Sequence, residues 1–280
     1  MKRTAALLLA TVFLAAASPP VAMADSVPSA TERRVIANGH VDLGPRFVNG
    51  AWTIQLRDDT AAPAVWRPLE NVVLQASGKA QLAVPDDPAY TFLGKPGAQV
   101  WVIPQVQQAG VVWPGWNTQD PEVAQRIDRE VTWTLEDVRG PGKFTLFLNS
   151  DFGRPAPVFD SSKPFPQETG IDGNTHVHGN WTFDAQGTYL LAIAMTAKLT
   201  DGTTVADRRT LRLYVGDGDA TSAFAASTPS PTASPTPAPT AYGPTADAGE
   251  NQVAIGWIGA GAGVLALFVV GVVVTRRRRA

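Results

Sequence analysis

The chain has 280 residues, 44% of them hydrophobic and 17% charged, with 25 glycines, 23 prolines and no cysteine. That mixture excludes a disordered chain, a coiled coil and a collagen-like fibre, and the missing thiols exclude disulfides, thiolate metal sites and cysteine nucleophiles. The formal charge is −2, yet setting aside Lys2, Arg3 and Arg276 to Arg279 leaves 17 basic against 25 acidic residues, an acidic body suited to cations and not to nucleic acid.

Residues 1–24 have the parts of a secretory signal peptide in order. Lys2 and Arg3 form a charged start, Ala5 to Ala17 is an apolar run too short to span a membrane, and Ala22-Met23-Ala24 is a small-x-small cleavage site. A body follows over 33–217. Its runs Trp52 to Leu56, Val131 to Leu135 and Phe144 to Leu148 alternate large apolar with polar or small residues, as do Trp181 to Phe183, Thr188 to Ala194 and Thr210 to Val215. Such period-two runs are strands with one buried face.

Asp201-Gly202 predicts a hairpin turn. One short helix is expected over Pro121 to Arg129, with Asp120 as cap and Pro121 at its first position. The fold class expected is all-β, an immunoglobulin-like antiparallel β-sandwich with that single helix. Trp181-x-Phe183-x-x-x-Gly187-x-Tyr189 suits the closing strands of such a fold, where an aromatic after a tight turn bonds backbone. A domain boundary near Pro141-Gly142 stays open.

Beyond the body, 221–251 is rich in Pro, Ser, Thr and Ala and is expected to be an extended linker. The segment 253–274 has no charged residue, and as a helix it would measure roughly 33 Å, enough to span a bilayer. The residues 275–280 contain four arginines, which by the positive-inside rule stay cytoplasmic. The expected location is therefore the cell membrane, crossed once by a C-terminal transmembrane helix, with the body extracellular.

The three histidines fall into two short motifs, His40-Val41-Asp42 and His176-Val177-His178. Residues i and i+2 of a strand share a face, about 7 Å apart. If the two strands are neighbours, three imidazoles and one carboxylate converge. Zinc accepts that set tetrahedrally; manganese or iron(II) accepts it with added water. The ligands must be deprotonated, so affinity should fall below the histidine pKa. Asn180 or Asp172 are alternatives to Asp42, which precedes Gly44-Pro45 and could instead shape a turn. Trp113-Pro114-Gly115-Trp116 reads as two tryptophans on a rigid turn, serving either as core fillers or as an exposed platform for a glycan or protein ligand.

Gly39-His40-Val41-Asp42, Phe92 to Gly97, Val100 to Gln105, Trp113 to Trp116 and His176 to Phe183 together resemble, in order, the hallmarks of the actinobacterial surface-anchored domain family called choice-of-anchor M. The resemblance covers about residues 34–217. It implies an extracellular domain associated with an ABC transport system of the metal-uptake type, whose solute-binding component would be the partner, and it implies no catalytic residue.

The function expected is therefore non-enzymatic: a membrane-anchored surface protein that captures a divalent transition metal, zinc favoured, for an uptake system. The alternative is an adhesin or carbohydrate-binding module using the tryptophans. No Gly-x-Ser-x-Gly elbow, phosphate loop or His-Glu-x-x-His occurs to indicate an enzyme.

Overall fold

The computed structural model describes residues 27–149 and 153–226. The expected signal peptide, membrane span and arginine tail lie outside them, and so does the expected linker beyond residue 226. Among the described residues no helix is long and apolar enough to cross a membrane.

The chain is mostly β. Its first strands are β1 (Arg34–Ile36), β2 (Gly39–Val48), β3 (Ala51–Asp58), β4 (Val65–Pro68) and β5 (Val72–Ala76). Next come β6 (Gln81–Ala83), β7 (Gln99–Ile103) and β8 (Val112–Asn117). Helix α1 (Pro121–Arg126) runs directly into β9 (Ile127–Arg139). The remainder is β10 (Phe144–Asn149), β11 (Pro155–Asp160), β12 (Gln167–Asp172), β13 (His176–His178), β14 (Asn180–Phe183), β15 (Gly187–Leu199) and β16 (Thr204–Val215). All six expected strand runs lie inside these elements.

Helix α1 starts as predicted: the Asp120 carboxylate accepts the backbone N–H groups of Glu122 and Val123. It stops three residues short of Arg129, because Ile127, Val131 and Trp133 are claimed by the core as strand residues. The Asp201-Gly202 hairpin forms between β15 and β16, where the Asp201 carboxylate accepts the Thr203 N–H at 2.8 Å. At the β2–β3 turn Asn49 and Gly50 both have positive φ, 51° and 78°. That primed-turn geometry suits Asn-Gly and matches the twist of the flanking strands. It sets Val48 opposite Ala51 and hence Asp42 opposite Arg57.

Three sheets result, in the orders β1-β5-β16-β15-β9-β12, β11-β10-β14-β7-β6 and β13-β8-β2-β3-β4. The expectation of purely antiparallel pairing is corrected at three places, since β1 with β5, β5 with β16 and β2 with β8 are parallel. Parallel neighbours need long crossovers, and a reading built on hairpin turns does not detect them.

One apolar core joins residues from all three sheets, so no boundary falls at Pro141-Gly142. Trp133 stands where the sheets meet, with ring centroids 5.2 Å from Trp116, 4.9 Å from Phe159 and 6.0 Å from Trp181. The Tyr189 hydroxyl, held protonated by a pKa that burial pushes up to about 12, donates to the Ala185 carbonyl at 2.9 Å. The body continues beyond 217, because a 3-10 turn over Ala220–Ala225 buries Ala220 and Ala223 beside Val73.

Candidate metal centre

The two histidine motifs lie on β2 and β13, which are not neighbours. Strand β8 runs between them. Register decides what meets across it: Gly115 of β8 stands opposite Asp42 on one side and His178 on the other. Likewise Trp113 faces His40, and Asn117 faces His176. Opposite residues share a face, so His40, Asp42, Trp113, Gly115, Asn117, His176 and His178 point to the side of the sheet away from the core. Val41, Leu43, Trp116 and Val177 point inward and join the core.

Two strand spacings separate β2 from β13, about 9.6 Å. Long side chains close that gap only if nothing rises between them. Gly115 supplies the opening: a Cβ there would lie 2.5 Å from Asp42 Oδ1 and 2.9 Å from His178 Nε2.

His40, Asp42, His176 and His178 thus converge, each offering one ligand atom, with none of these atoms more than 4.8 Å from another. His40 Nε2 lies 3.2 Å from His178 Nε2 and 3.3 Å from Asp42 Oδ1, and His176 Nε2 lies 2.8 Å from the same oxygen. Ligands about 2.05 Å from a tetrahedral zinc are about 3.3 Å apart, so two of these separations already match. Facing lone pairs at such distances repel unless a proton or a cation lies between them.

The surroundings fix the ligands. His40 Nδ1 donates to Asp59 Oδ2 at 2.7 Å, which leaves Nε2 to face the centre. A carboxylate behind a histidine holds the ring in this way at metal sites. Arg57 Nε donates to Asp59 Oδ1 at 2.8 Å, so the carboxylate is itself anchored. Asn117 Nδ2 donates to Asp42 Oδ2 at 2.9 Å and leaves Oδ1 to the imidazoles. The Trp113 ring stacks on His178, 3.7 Å between centroids and 12° from parallel, and is tethered by its Nε1 donating to the Gln105 carbonyl. His178 Nδ1 is buried, with the Pro114 carbonyl beside it but outside hydrogen-bonding geometry.

Charge follows from these contacts. Burial pushes His178 down to about 4, so its ring is neutral at pH 7 and able to ligate. The hydrogen bond to Asp42 raises His40 against the opposing effect of burial, with Asp59 adding to the rise. Burial alone would raise Asp42, but the His40 hydrogen bond and the charges of His40 and His176 outweigh it and hold the carboxyl below its usual range. The centre is thus a buried carboxylate beside the neutral ring of His178, with the His40 and His176 rings on its oxygen.

All four residues expected as metal ligands are brought together, and Asp42 lies within a strand and not in a turn. The alternatives are elsewhere: Asn180 Oδ1 accepts the Gln105 N–H, and Asp172 is an exposed residue of β12. Of the two tryptophan readings, core packing holds for Trp116 and Trp101, and the expected turn is corrected to a strand. Trp113 to Trp116 belong to central strand β8, and Trp116 and Trp101 are buried in the core. A platform of two exposed tryptophans is not formed. Sequence reasoning missed Asp59, Asn117 and the role of Gly115, whose signal was the alternation Trp113, Gly115, Asn117 along one strand face.

No family model matches the chain, and neither a curated protein nor a solved structure is significantly similar to it.

Proposed function

We propose that this protein binds one divalent transition metal, zinc favoured, between strands β2 and β13. The observation that carries the reading is the convergence of His40, Asp42, His176 and His178, with ligand atoms within 4.8 Å of one another. Three nitrogens and one carboxylate oxygen suit zinc and exclude the all-oxygen preference of calcium and magnesium. Four protein ligands fill a tetrahedral shell, which favours holding the ion over activating water. The side chains of His40 and His176 are 22% and 32% exposed, so the ion can enter and leave from solvent.

The wider reading joins this centre to the sequence signals. A signal peptide over 1–24, a linker and a membrane span over 253–274 would hold the body outside the cell, with the arginines of 275–280 cytoplasmic. The resemblance to the choice-of-anchor M domains supports delivery of the ion to the solute-binding component of an ABC uptake system. Tyr189, bonding backbone four residues earlier, supports an immunoglobulin-like arrangement of the sandwich.

In calorimetry, purified residues 25–250 are expected to bind one zinc per chain. Changing His176 and His178 together to Ala should abolish binding while the far-ultraviolet dichroism stays that of a β protein. Unchanged binding by the double variant would refute the site.

A further inference from the structure

The four ligands of the proposed centre are not held alike. His40 has the Asp59 carboxylate behind its Nδ1, and Asp59 is anchored in turn by Arg57. Asp42 is buried and receives the Asn117 amide on its other oxygen. His178 is stacked against the Trp113 ring, close over Gly115, with its Nδ1 buried. His176 has no such support. It is the exposed one of the four, and its Nε2 reaches Asp42, while among the described residues nothing is hydrogen-bonded to its Nδ1.

Its backbone, in contrast, is fixed. His176 opens β13 opposite Asn117. Thr175 before it is bonded both ways to Thr118: its carbonyl accepts the Thr118 N–H at 3.0 Å, and its N–H donates to the Thr118 hydroxyl at 3.1 Å. Rotation of the His176 side chain into solvent therefore needs no movement of the strand and gives up one ligand bond alone. Turning out any other ligand would also break the Asp59 bond, the Asn117 bond or the Trp113 stack. Groups that support a ligand from behind are worth about 10- to 100-fold in metal affinity.

We propose that His176 is the exchangeable ligand through which the ion is handed on, to an acceptor that presents an imidazole; the proposal rests on the metal reading above. The incoming nitrogen approaches from the exposed His176 side, and zinc passes through five-coordination. The zinc–His176 bond breaks as the new bond forms, and the His176 Nε2 lone pair is left to water. Imidazole replaces imidazole, so the charge of the centre does not change. His40, Asp42 and His178 hold the ion until further donors of the acceptor displace them.

The purified protein is first loaded with zinc and its stoichiometry measured, and free imidazole is the probe. In NMR of isotope-labelled histidines, at imidazole concentrations that leave zinc bound, His176 alone should take on the signals of an unligated ring. In stopped flow, transfer of zinc to an excess of a pyridylazo dye chelator should quicken in proportion to added imidazole. His176→Ala should still bind zinc, and His40→Ala, which also forfeits the Asp59 support, should bind it about 10- to 100-fold more weakly than His176→Ala does. The NMR and transfer measurements use the parent alone, so a poorly folding variant does not remove the test. The proposal is overturned if His40 or His178 leaves first, if no ring leaves while zinc stays bound, if transfer is indifferent to imidazole, or if the two variants are weakened equally. Each of those results leaves zinc binding, and so the centre, intact. A parent that binds no zinc would overturn the centre itself and this proposal with it.

Discussion

Asp59 touches no metal-facing atom, yet it decides which nitrogen of His40 faces the centre. Asp59→Asn keeps the size and removes the charge that supports the imidazole. Removing such a supporting group costs about 10- to 100-fold in metal affinity. That loss is expected in zinc titrations of Asp59→Asn, with a melting temperature close to the parent's because Asp59 is part-exposed. Gly115→Ala makes a stronger case: its Cβ would fall within 2.5 Å of Asp42 Oδ1, so the ligands must spread and zinc binding should be lost. Tight zinc binding by Gly115→Ala would show that the ion does not sit above Gly115. The four ligands themselves were legible because a strand puts residues i and i+2 on one face. Asp59 and Asn117 were not, since only the pairing of β2 with β3 and β8 makes them neighbours of the site.

At the scale of elements, the centre is a clamp on β13. This edge strand has three residues and, among the described residues, pairs with β8 alone. Immediately after it the chain crosses at Gly179 into β14 of another sheet. Two of the four ligands belong to β13, so a bound ion would cross-link it over β8 to β2. Zinc at 100 times its dissociation constant adds about 2.7 kcal/mol to any opening that breaks the site, roughly 100-fold slower exchange. The amides of His176, Val177 and His178 should show that slowing in hydrogen exchange, more than the amides of the distant edge strand β6. Equal protection of β6 and β13 would exclude the clamp.

Element scale also explains the misread segment. Pro114-Gly115 has the composition of a turn, and local propensity cannot detect that β2 and β13 flank it. Pro114 sits just past the last residue paired with β13, because His178 stands opposite Gly115, and a strand tolerates proline best where ladder partners end.

At the scale of the whole molecule, the three sheets share one core, and acid stability reports on buried ion pairs as well as on the metal centre. The foremost is Asp58 with Arg67, whose side chains are 0% and 2% exposed and 2.7 Å apart. Asp58 also accepts from the backbone and hydroxyl of Thr60, and Arg67 reaches Glu32 at 2.8 Å, tying the start of the body to β3 and β4. Burial alone would raise the Asp58 carboxyl, but the Thr60 and Arg67 hydrogen bonds outweigh it and hold the group below the usual carboxylate range. A carboxyl whose folded pKa is depressed contributes stability that is present above its unfolded value and lost as pH falls through the folded one. The unfolded value is about 3.9, so the loss belongs below about pH 4. Asp42 and Asp160 are depressed too and act in the same window. The imidazoles add slopes of their own: His178 destabilises on acidification between about 6.5 and about 4, while His40, raised, acts oppositely at higher pH. Asp58→Asn takes from the buried Arg67 guanidinium the buried one of its two carboxylate partners and leaves it Glu32, whose side chain is exposed, at a cost of about 3–5 kcal/mol. Thermal melts at pH 7 should therefore fall by about 6–20 °C in this variant. The difference from the parent should shrink as pH drops below 4, where the parent protonates the same group. A constant difference down to pH 2 would mean that the Asp58 charge does not stabilise the fold.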